Sequence, residues 1–325
     1  MPAPEPAFAR RWRTKFNAAL ARSTTKEPTS PTTGYYFPLA QYLSLHLVLS
    51  IFLLFSLGFL PRSQTWLEGV LPASWTAKEA TGGVKQVISA DRPEHEFLTP
   101  LTANVVVTLS WTCAGLLVCM TWWGAHLRRW WVAFRQSEGK VGQDDTVTAA
   151  QKALLATLAG TAIFYPFLVF LGVPLATHIP QTLLFALHLS LLIVLPPTYA
   201  LGIPSLYESG TFERYRLTRL FCELSPETQL ERATVYPVVG TVIGAWWGVI
   251  PLALDWDRPW QTYPLPPTFT SLIGFIVGGL ASFMHSIFLE AVEASKAVVS
   301  SAQAGEREGR EEKVKRRKRK GGKGL

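Results

Sequence analysis

The residues of this chain that are best suited by type and spacing to chemistry lie in the stretch "LDWDRPWQ", Leu254 to Gln261. Asp255 and Asp257 could hold a divalent cation, because carboxylates are ligands for hard cations. Arg258 could pair with a phosphorylated headgroup. Two carboxylates two residues apart are too few ligands for a metal site on their own. The stretch is therefore either a polar binding site or a rigid connector, and it must be judged with the elements that flank it.

The flanking sequence is that of a membrane protein. The 325 residues are 48% hydrophobic and 17% charged, whereas soluble domains carry about 25% charged residues. Segments such as "LHLVLSIFLLFSLGFL" are apolar on every face, which indicates helices rather than the alternating strands of a β-barrel. We predict an all-α polytopic membrane protein, because six windows can each cross a hydrocarbon core of about 30 Å as a helix. The windows are 39–60, 101–123, 153–173, 180–203, 234–254 and 268–290.

Basic residues divide the chain into regions and orient it. We expect a basic N-terminal tail at 1–38, a six-span domain at 39–290 and a basic disordered tail at 291–325. Of the 31 lysines and arginines, 26 fall in the two tails and in the loops 124–152 and 204–233. Because such residues stay on the cytosolic side, both termini are predicted to be cytosolic. The arginine-rich leader is also typical of a mitochondrial presequence, which is the alternative for this tail.

Three further segments carry local signals. Pro196 and Pro197 lie inside the fourth window and should kink it or leave it re-entrant. The 204–233 loop mixes charged and apolar residues at helical spacing, which predicts an amphipathic helix on the cytosolic face. The basic C-terminal tail suits a solvated segment or contact with anionic membrane lipid, and we do not expect it to bind nucleic acid.

Small residues recur every four positions in the last two windows. Gly240, Gly244 and Gly248 form one stripe, and the second consists of Gly274, Gly278, Ser282 and Ser286. This spacing lets two membrane helices approach closely, which predicts a tight hairpin. The full connector of that hairpin reads "DWDRPWQTYPLPP", in which four prolines forbid a helix and the aromatic rings suit the headgroup level. The hinge interpretation therefore explains the opening stretch without a ligand.

Side chains that could catalyse a reaction are sparse elsewhere. His46, His188 and His285 lie singly on different windows, and we expect each to hydrogen-bond between helices rather than to ligate a metal. Cys113, Cys119 and Cys222 have no metal-ligand or redox spacing. We therefore expect no catalytic residue, metal or cofactor in this chain.

The run "GAWWGVIPLALDWDRPWQTYP", Gly244 to Pro264, resembles the signature of the PIG-F family, and the extended termini resemble those of fungal members. This resemblance implies a non-catalytic subunit of the endoplasmic reticulum membrane. Such a subunit stabilises the large ethanolamine phosphate transferases of glycosylphosphatidylinositol (GPI) anchor assembly, PIG-O-like and PIG-G-like. It also implies a structural and partner-binding motif. The expected motif residues are Gly244, Trp246, Gly248, Asp255, Trp256, Asp257, Arg258, Pro259, Trp260, Gly274 and Gly278.

Two other function classes stay open at this point. One is a membrane-embedded enzyme that acts on phospholipid headgroups through Asp255, Asp257 and Arg258. The other is a small-solute transporter, although a proton-coupled transporter would place acids or bases near the midplane of its helices. Activity of the purified chain alone would indicate the enzyme, and substrate flux in liposomes without a partner would indicate the transporter.

The charge distribution gives a topology prediction. Tags at either terminus should be accessible from the cytosol, and a glycosylation acceptor placed in the 62–100 loop should be modified, because 26 of the 31 basic residues are assigned to the cytosolic side. Protease protection measures the accessibility of the tags, and a gel-mobility shift measures glycosylation of the acceptor. Protected tags with an unmodified acceptor would contradict this orientation, and loss of the leader would indicate the mitochondrial alternative.

Overall fold

A computed structural model describes residues 37–63, 95–139, 145–203 and 211–321 of the chain. Throughout these ranges the regular structure consists of α-helices and short 3-10 turns, without strands. Six helical segments are long and apolar enough to cross a membrane, which confirms the predicted all-α, six-span class. They are Leu39–Ser63, Val105–Ser137, Thr146–Phe170, Ile179–Leu201, Gln229–Ala253 and Leu265–Ser301. The N-terminal leader and most of the 62–100 loop lie outside the described residues.

The described helices are labelled in chain order, and two of them are short. The fourth spanning segment consists of two consecutive helices, α5 and α6. The bounds are α1 Leu39–Gly58, α2 Thr99–Ala103, α3 Val105–Ser137, α4 Thr146–Phe170, α5 Ile179–Ile193, α6 Leu195–Leu201, α7 Thr211–Phe221, α8 Gln229–Trp247 and α9 Leu265–Gly321.

The predicted interruption of the fourth span is confirmed. Helix α5 ends at Ile193 and α6 begins at Leu195, so that Pro196 and Pro197 fall in the first turn of α6. A proline is tolerated there because the first helical N–H groups have no intrahelical partner. Both prolines are buried, so the break lies inside the bundle.

Helix α3 lies at the centre of the bundle. It packs against α1, α5 and α6, and large side chains along it, among them Leu116, Met120, Trp123 and Leu127, are fully buried. Tyr42 of α1 lies beside this row, with its ring centroid 5.6 Å from that of Trp123. The core is thus a seam of aliphatic and aromatic side chains between α3 and the neighbouring helices α1, α5 and α6.

His46, His188 and His285, the three histidines singled out from the sequence, each form a hydrogen bond to another helix, as predicted. These bonds connect α1, α5 and α8 to α9, so α9 is the common partner of all three. A buried polar group without a partner costs free energy in an apolar environment, and each of these bonds lowers that cost by satisfying one ring nitrogen. The pairs are His46 Nε2 with the Ile276 carbonyl oxygen (3.0 Å), His188 Nε2 with Ser271 Oγ (2.9 Å) and Tyr236 Oη with His285 Nδ1 (2.5 Å).

Helix α9 continues far beyond the sixth predicted window. The sequence predicts a disordered tail from residue 291, whereas the helix extends to Gly321. The segment contains no proline after Pro267, and it places Glu306 four residues before Arg310. Acid-to-base pairs at this spacing favour a helix, which gives a physical reason for the continuation.

Candidate functional site

Helices α8 and α9 are in backbone contact through their glycines. A Cβ atom added to Gly240 would overlap the carbonyl group of Gly274, and one added to Gly274 would overlap the carbonyl group of Gly240. Likewise, a Cβ on Gly244 would overlap the carbonyl of Thr270, and a Cβ on Gly278 that of Tyr236. No side chain fits between the helices at these four positions, so glycine is required for the approach.

The same stripe continues towards both ends of the hairpin. At the connector end, a Cβ on Gly248 would overlap Pro267 and the Thr270 side chain. At the other end, Ser286 of α9 accepts a hydrogen bond from Nε of Arg232 at 3.1 Å. The hairpin is therefore closed by backbone contact along its length and by a polar contact where the helices emerge.

Helix α9 also packs closely on α1 through the neighbouring glycine of its stripe. The hydroxyl of Tyr42 donates to the carbonyl oxygen of Gly279 at 3.0 Å. A Cβ at Gly279 would overlap the imidazole ring of His46. These contacts fix the hairpin to the rest of the bundle. The face of α9 that carries Gly279 is packed against α1.

In the connector, the side chain of Gln261 ties the loop together. Its Nε2 donates to the carbonyl oxygens of Pro251 (2.7 Å) and Leu254 (2.9 Å), and its Oε1 accepts from the N–H of Arg258 (2.8 Å). The sequence analysis considered Asp255, Asp257 and Arg258 as candidate ligands and did not single out Gln261. An amide suits the position because it can donate and accept at the same time.

The two connector acids lie at the surface. Asp255, Trp256 and Asp257 are exposed, whereas Arg258 and Trp260 are half-buried. The rings of Trp256 and Trp260 lie with their centroids 5.9 Å apart. Asp257 has φ of 48°, a left-handed conformation that aspartate tolerates better than most residues. Among the residues described, no three His, Cys, Asp or Glu side chains are grouped so that they could hold a metal ion.

A buried ion cluster lies at the opposite end of the bundle from the connector, and sequence reasoning missed it. Glu231 of α8 is only 3% exposed, and its Oε1 accepts from Arg219 of α7 at 2.6 Å. Its Oε2 accepts from the backbone N–H groups of Glu227 (2.8 Å) and Thr228 (3.3 Å). Arg219 also pairs with Glu227 at 2.6 Å. The carboxylate of Glu231 thus fixes the amphipathic helix α7 to the start of α8.

Arg216 adds a second contact between α7 and the bundle. Its guanidinium lies 4.3 Å from the ring centroid of the buried Trp131 in α3. Burial lowers the pKa of Arg216, and the nearby carboxylate of Glu231 opposes that shift. These groups border a charged cleft of about 400 Å³ between α3, α7 and α8. The only sequence signal for the cluster was the Thr228-to-Glu231 spacing of a capping box, which is formed.

The fold and this site define a multi-pass helical membrane protein that is built around a glycine-packed hairpin. The sequence matches the family described as "GPI biosynthesis protein family Pig-F" over residues 86–283. That match covers more than half of the chain, and the chain belongs to this family.

Named relatives are similar over a shorter region. The chain is 36% identical over 117 residues to "Glycosylphosphatidylinositol anchor biosynthesis protein 11" of Debaryomyces hansenii, covering 36% of this chain and 46% of the relative. It is 30% identical over 132 residues to "GPI ethanolamine phosphate transferase, stabilizing subunit" of Homo sapiens, covering 41% and 56%. The chain thus spans about half the length of the curated relatives it matches. No solved structure matches it.

Gly244→Leu should destabilise the hairpin. The new side chain would meet the Thr270 backbone, and overpacking of a tight contact typically costs about 1–3 kcal/mol. Thermal unfolding of the purified protein in detergent measures this. Gly305→Leu is the matched control, because Gly305 lies in α9 with no atom near its Cβ position. Equal melting temperatures for the two variants would contradict the packing role.

Glu231→Gln should destabilise the attachment of α7. It leaves Arg219, whose side chain is 11% exposed, without its buried counter-charge, and breaking a buried ion pair costs about 3–5 kcal/mol. The control is Glu227→Gln at the partner carboxylate, whose side chain is 74% exposed, where a loss below about 1 kcal/mol is expected. Chemical denaturation in detergent measures both. A larger loss for Glu227→Gln would show that the buried carboxylate is not the anchor.

Proposed function

We propose that this chain is a non-catalytic subunit that binds and stabilises GPI ethanolamine phosphate transferases in the endoplasmic reticulum membrane. It would thereby support the addition of ethanolamine phosphate to the mannoses of the GPI anchor. Membership of the Pig-F family carries this proposal. The names of the mammalian relatives support it, since the proteins of Mus musculus and Homo sapiens are both called a stabilizing subunit of that transferase.

The bonding of the buried polar side chains supports a scaffolding role, because these side chains bond to other parts of the same chain. His46, His188 and His285 are each bonded to another helix. The buried carboxylate of Glu231 is saturated by Arg219 and by backbone N–H groups. These groups stabilise the relative positions of helices. A rigid bundle of this kind can present a fixed surface to a partner, because little ordering free energy is lost on binding.

The proposed arrangement places both termini and the ion cluster in the cytosol and the Asp255-to-Gln261 connector in the lumen. The three proposed regions are the basic tail at 1–38, the membrane domain at 39–290 and the basic segment at 291–325. In this orientation the exposed Asp255, Trp256 and Asp257 face the lumen. We propose PIG-O-like and PIG-G-like enzymes as partners, together with surrounding membrane lipid.

The proposal is tested by the amount of transferase in cells with and without this chain. Depletion should lower the steady-state level of the transferase by roughly fivefold, since a loss of 1–2 kcal/mol of stability changes abundance several-fold. The tagged chain should also co-purify the transferase in mild detergent. Immunoblotting and mass spectrometry measure these quantities.

A variant of the connector separates this proposal from the headgroup enzyme. Asp257→Asn should leave transfer per molecule of bound transferase unchanged, because the chain supplies no reacting group. An abundant, intact complex with no transfer would contradict the proposal, as would ethanolamine phosphate transfer by the purified chain alone.

A further inference from the structure

The cleft of about 400 Å³ between α3, α7 and α8 has room for a small polar ligand. Three arginines and four glutamates line it, together with three aromatic residues. The charged residues are Arg135, Arg216, Arg219, Glu138, Glu213, Glu227 and Glu231. We name this surface the charged cleft.

Part of the charge in the charged cleft is balanced within the protein. Arg219 pairs with Glu227 and with Glu231, at 2.6 Å each. The second oxygen of Glu231 accepts from two backbone N–H groups just before α8. Arg216 lies against the ring of Trp131. These groups hold the helices together, so a ligand must bind to the charged groups that remain.

Two groups of opposite charge remain for a ligand. Among the residues that the structure describes, no carboxylate pairs with Arg135. Burial lowers the pKa of Arg216, and the like charge of the neighbouring Arg135 lowers it further. The Oε2 atom of Glu213 is buried and accepts no hydrogen bond from the described residues. A guanidinium attracts an anion, and a buried carboxylate oxygen requires an N–H or O–H donor. The charged cleft therefore suits a ligand that carries both.

The charge of the lining distinguishes between classes of ligand. Three arginines and four glutamates give the cleft a formal charge close to zero, with a small excess of carboxylates. A purely anionic ligand would be opposed by that excess, because like charges brought together without compensation are costly. A metal ion is not indicated, since within the described part of the chain no three His, Cys, Asp or Glu side chains are grouped to hold one. A zwitterion brings no net charge and matches both remaining groups.

The charged cleft lies where two spanning segments end. Trp131 and Arg135 fall in the last two turns of the segment that ends at Ser137, and Glu231 falls in the first turn of the segment that begins at Gln229. The aromatic rings of Phe134, half-buried, and Tyr215, 63% exposed, border the same cleft. Aromatic rings at the ends of spans are typical of the headgroup level of a bilayer. At this depth a zwitterion is supplied most directly by the headgroup of a membrane phospholipid.

We propose that the charged cleft binds the headgroup of an ethanolamine phospholipid, with the phosphate on Arg135 and the ammonium group on Oε2 of Glu213. An ethanolamine ammonium group has three N–H donors, as a lysine side chain has, whereas the trimethylated nitrogen of choline has none. A serine headgroup would add a carboxylate to a lining that already carries four. This site goes beyond the proposed function, and its binding of lipid does not require the transferase.

Binding of short-chain lipids to the purified chain in detergent tests this site without any substitution. Dioctanoyl lipids with ethanolamine, choline and serine headgroups are titrated by isothermal calorimetry. The ethanolamine lipid should bind roughly tenfold more tightly than either of the other two, which is the ratio that one charge-assisted hydrogen bond supplies. Equal affinities for the three lipids, or tighter binding of the serine lipid, would overturn the inference.

Two variants of the charged cleft should differ in their effect. Arg135→Ala should weaken the ethanolamine and choline lipids alike, by about tenfold, because both carry the phosphate. Glu213→Ala should weaken the ethanolamine lipid alone and so remove its advantage over the choline lipid. Arg129→Ala and Glu293→Ala are the matched controls at exposed positions outside the cleft and should bind as the wild type does. An undiminished preference for the ethanolamine lipid in Glu213→Ala would overturn the inference.

Soluble competitors distinguish a lipid headgroup from a free ligand. Phosphoethanolamine should displace the ethanolamine lipid only at concentrations about tenfold or more above that of the lipid, because the bilayer or micelle holds the lipid beside the cleft. Displacement by phosphoethanolamine at the concentration of the lipid would assign the site to a soluble zwitterion. Displacement by inorganic phosphate at that concentration would assign it to an anion. Either result would overturn the assignment to a membrane lipid.

Discussion

The backbone contact between α8 and α9 is the constraint on which the rest of the structure depends. It requires glycine at Gly240, Gly244, Gly274 and Gly278, since any Cβ there would overlap the facing helix. Apolar surface provides little driving force between helices in lipid, and close packing takes its place. Because α9 also receives hydrogen bonds from α1 and α5, the position of this one helix determines that of three others.

Polar side chains in this protein fix the positions of helices relative to one another. Inside the bilayer an unpaired polar group is costly, so each such bond favours one arrangement of the helices. His46, His188 and His285 each have a hydrogen-bonding partner on another helix, so a shifted helix would leave a polar group unpaired. At the end opposite the connector, Glu231 does the same for α7 through Arg219. A surface held rigid in this way binds a partner without first having to be ordered.

Much of this fold could be predicted because its signals are local. Hydropathy gave the six spans, Pro196 and Pro197 gave the interruption, and the four-residue spacing of glycines gave the hairpin. The loop-closing role of Gln261 could not be predicted, because its partners are backbone carbonyls brought together by a 3-10 turn. The burial of Glu231 could not be predicted for a similar reason: it depends on contacts of α7 with α8 and α3 that lie far apart from any local signal. The extension of α9 beyond the sixth window depends on the helix propensity of polar residues. Hydropathy windows detect apolar segments and do not measure this propensity.

The central claim is that this chain stabilises a transferase and supplies no reacting group to it. The most direct measurement is the rate of ethanolamine phosphate transfer per molecule of folded transferase, in liposomes with and without this chain at matched amounts of transferase. We expect equal rates per molecule, together with faster thermal inactivation of the transferase when the chain is absent. A rate per molecule that falls to zero without the chain, or with its Asp257→Asn variant, while the transferase stays folded would contradict it.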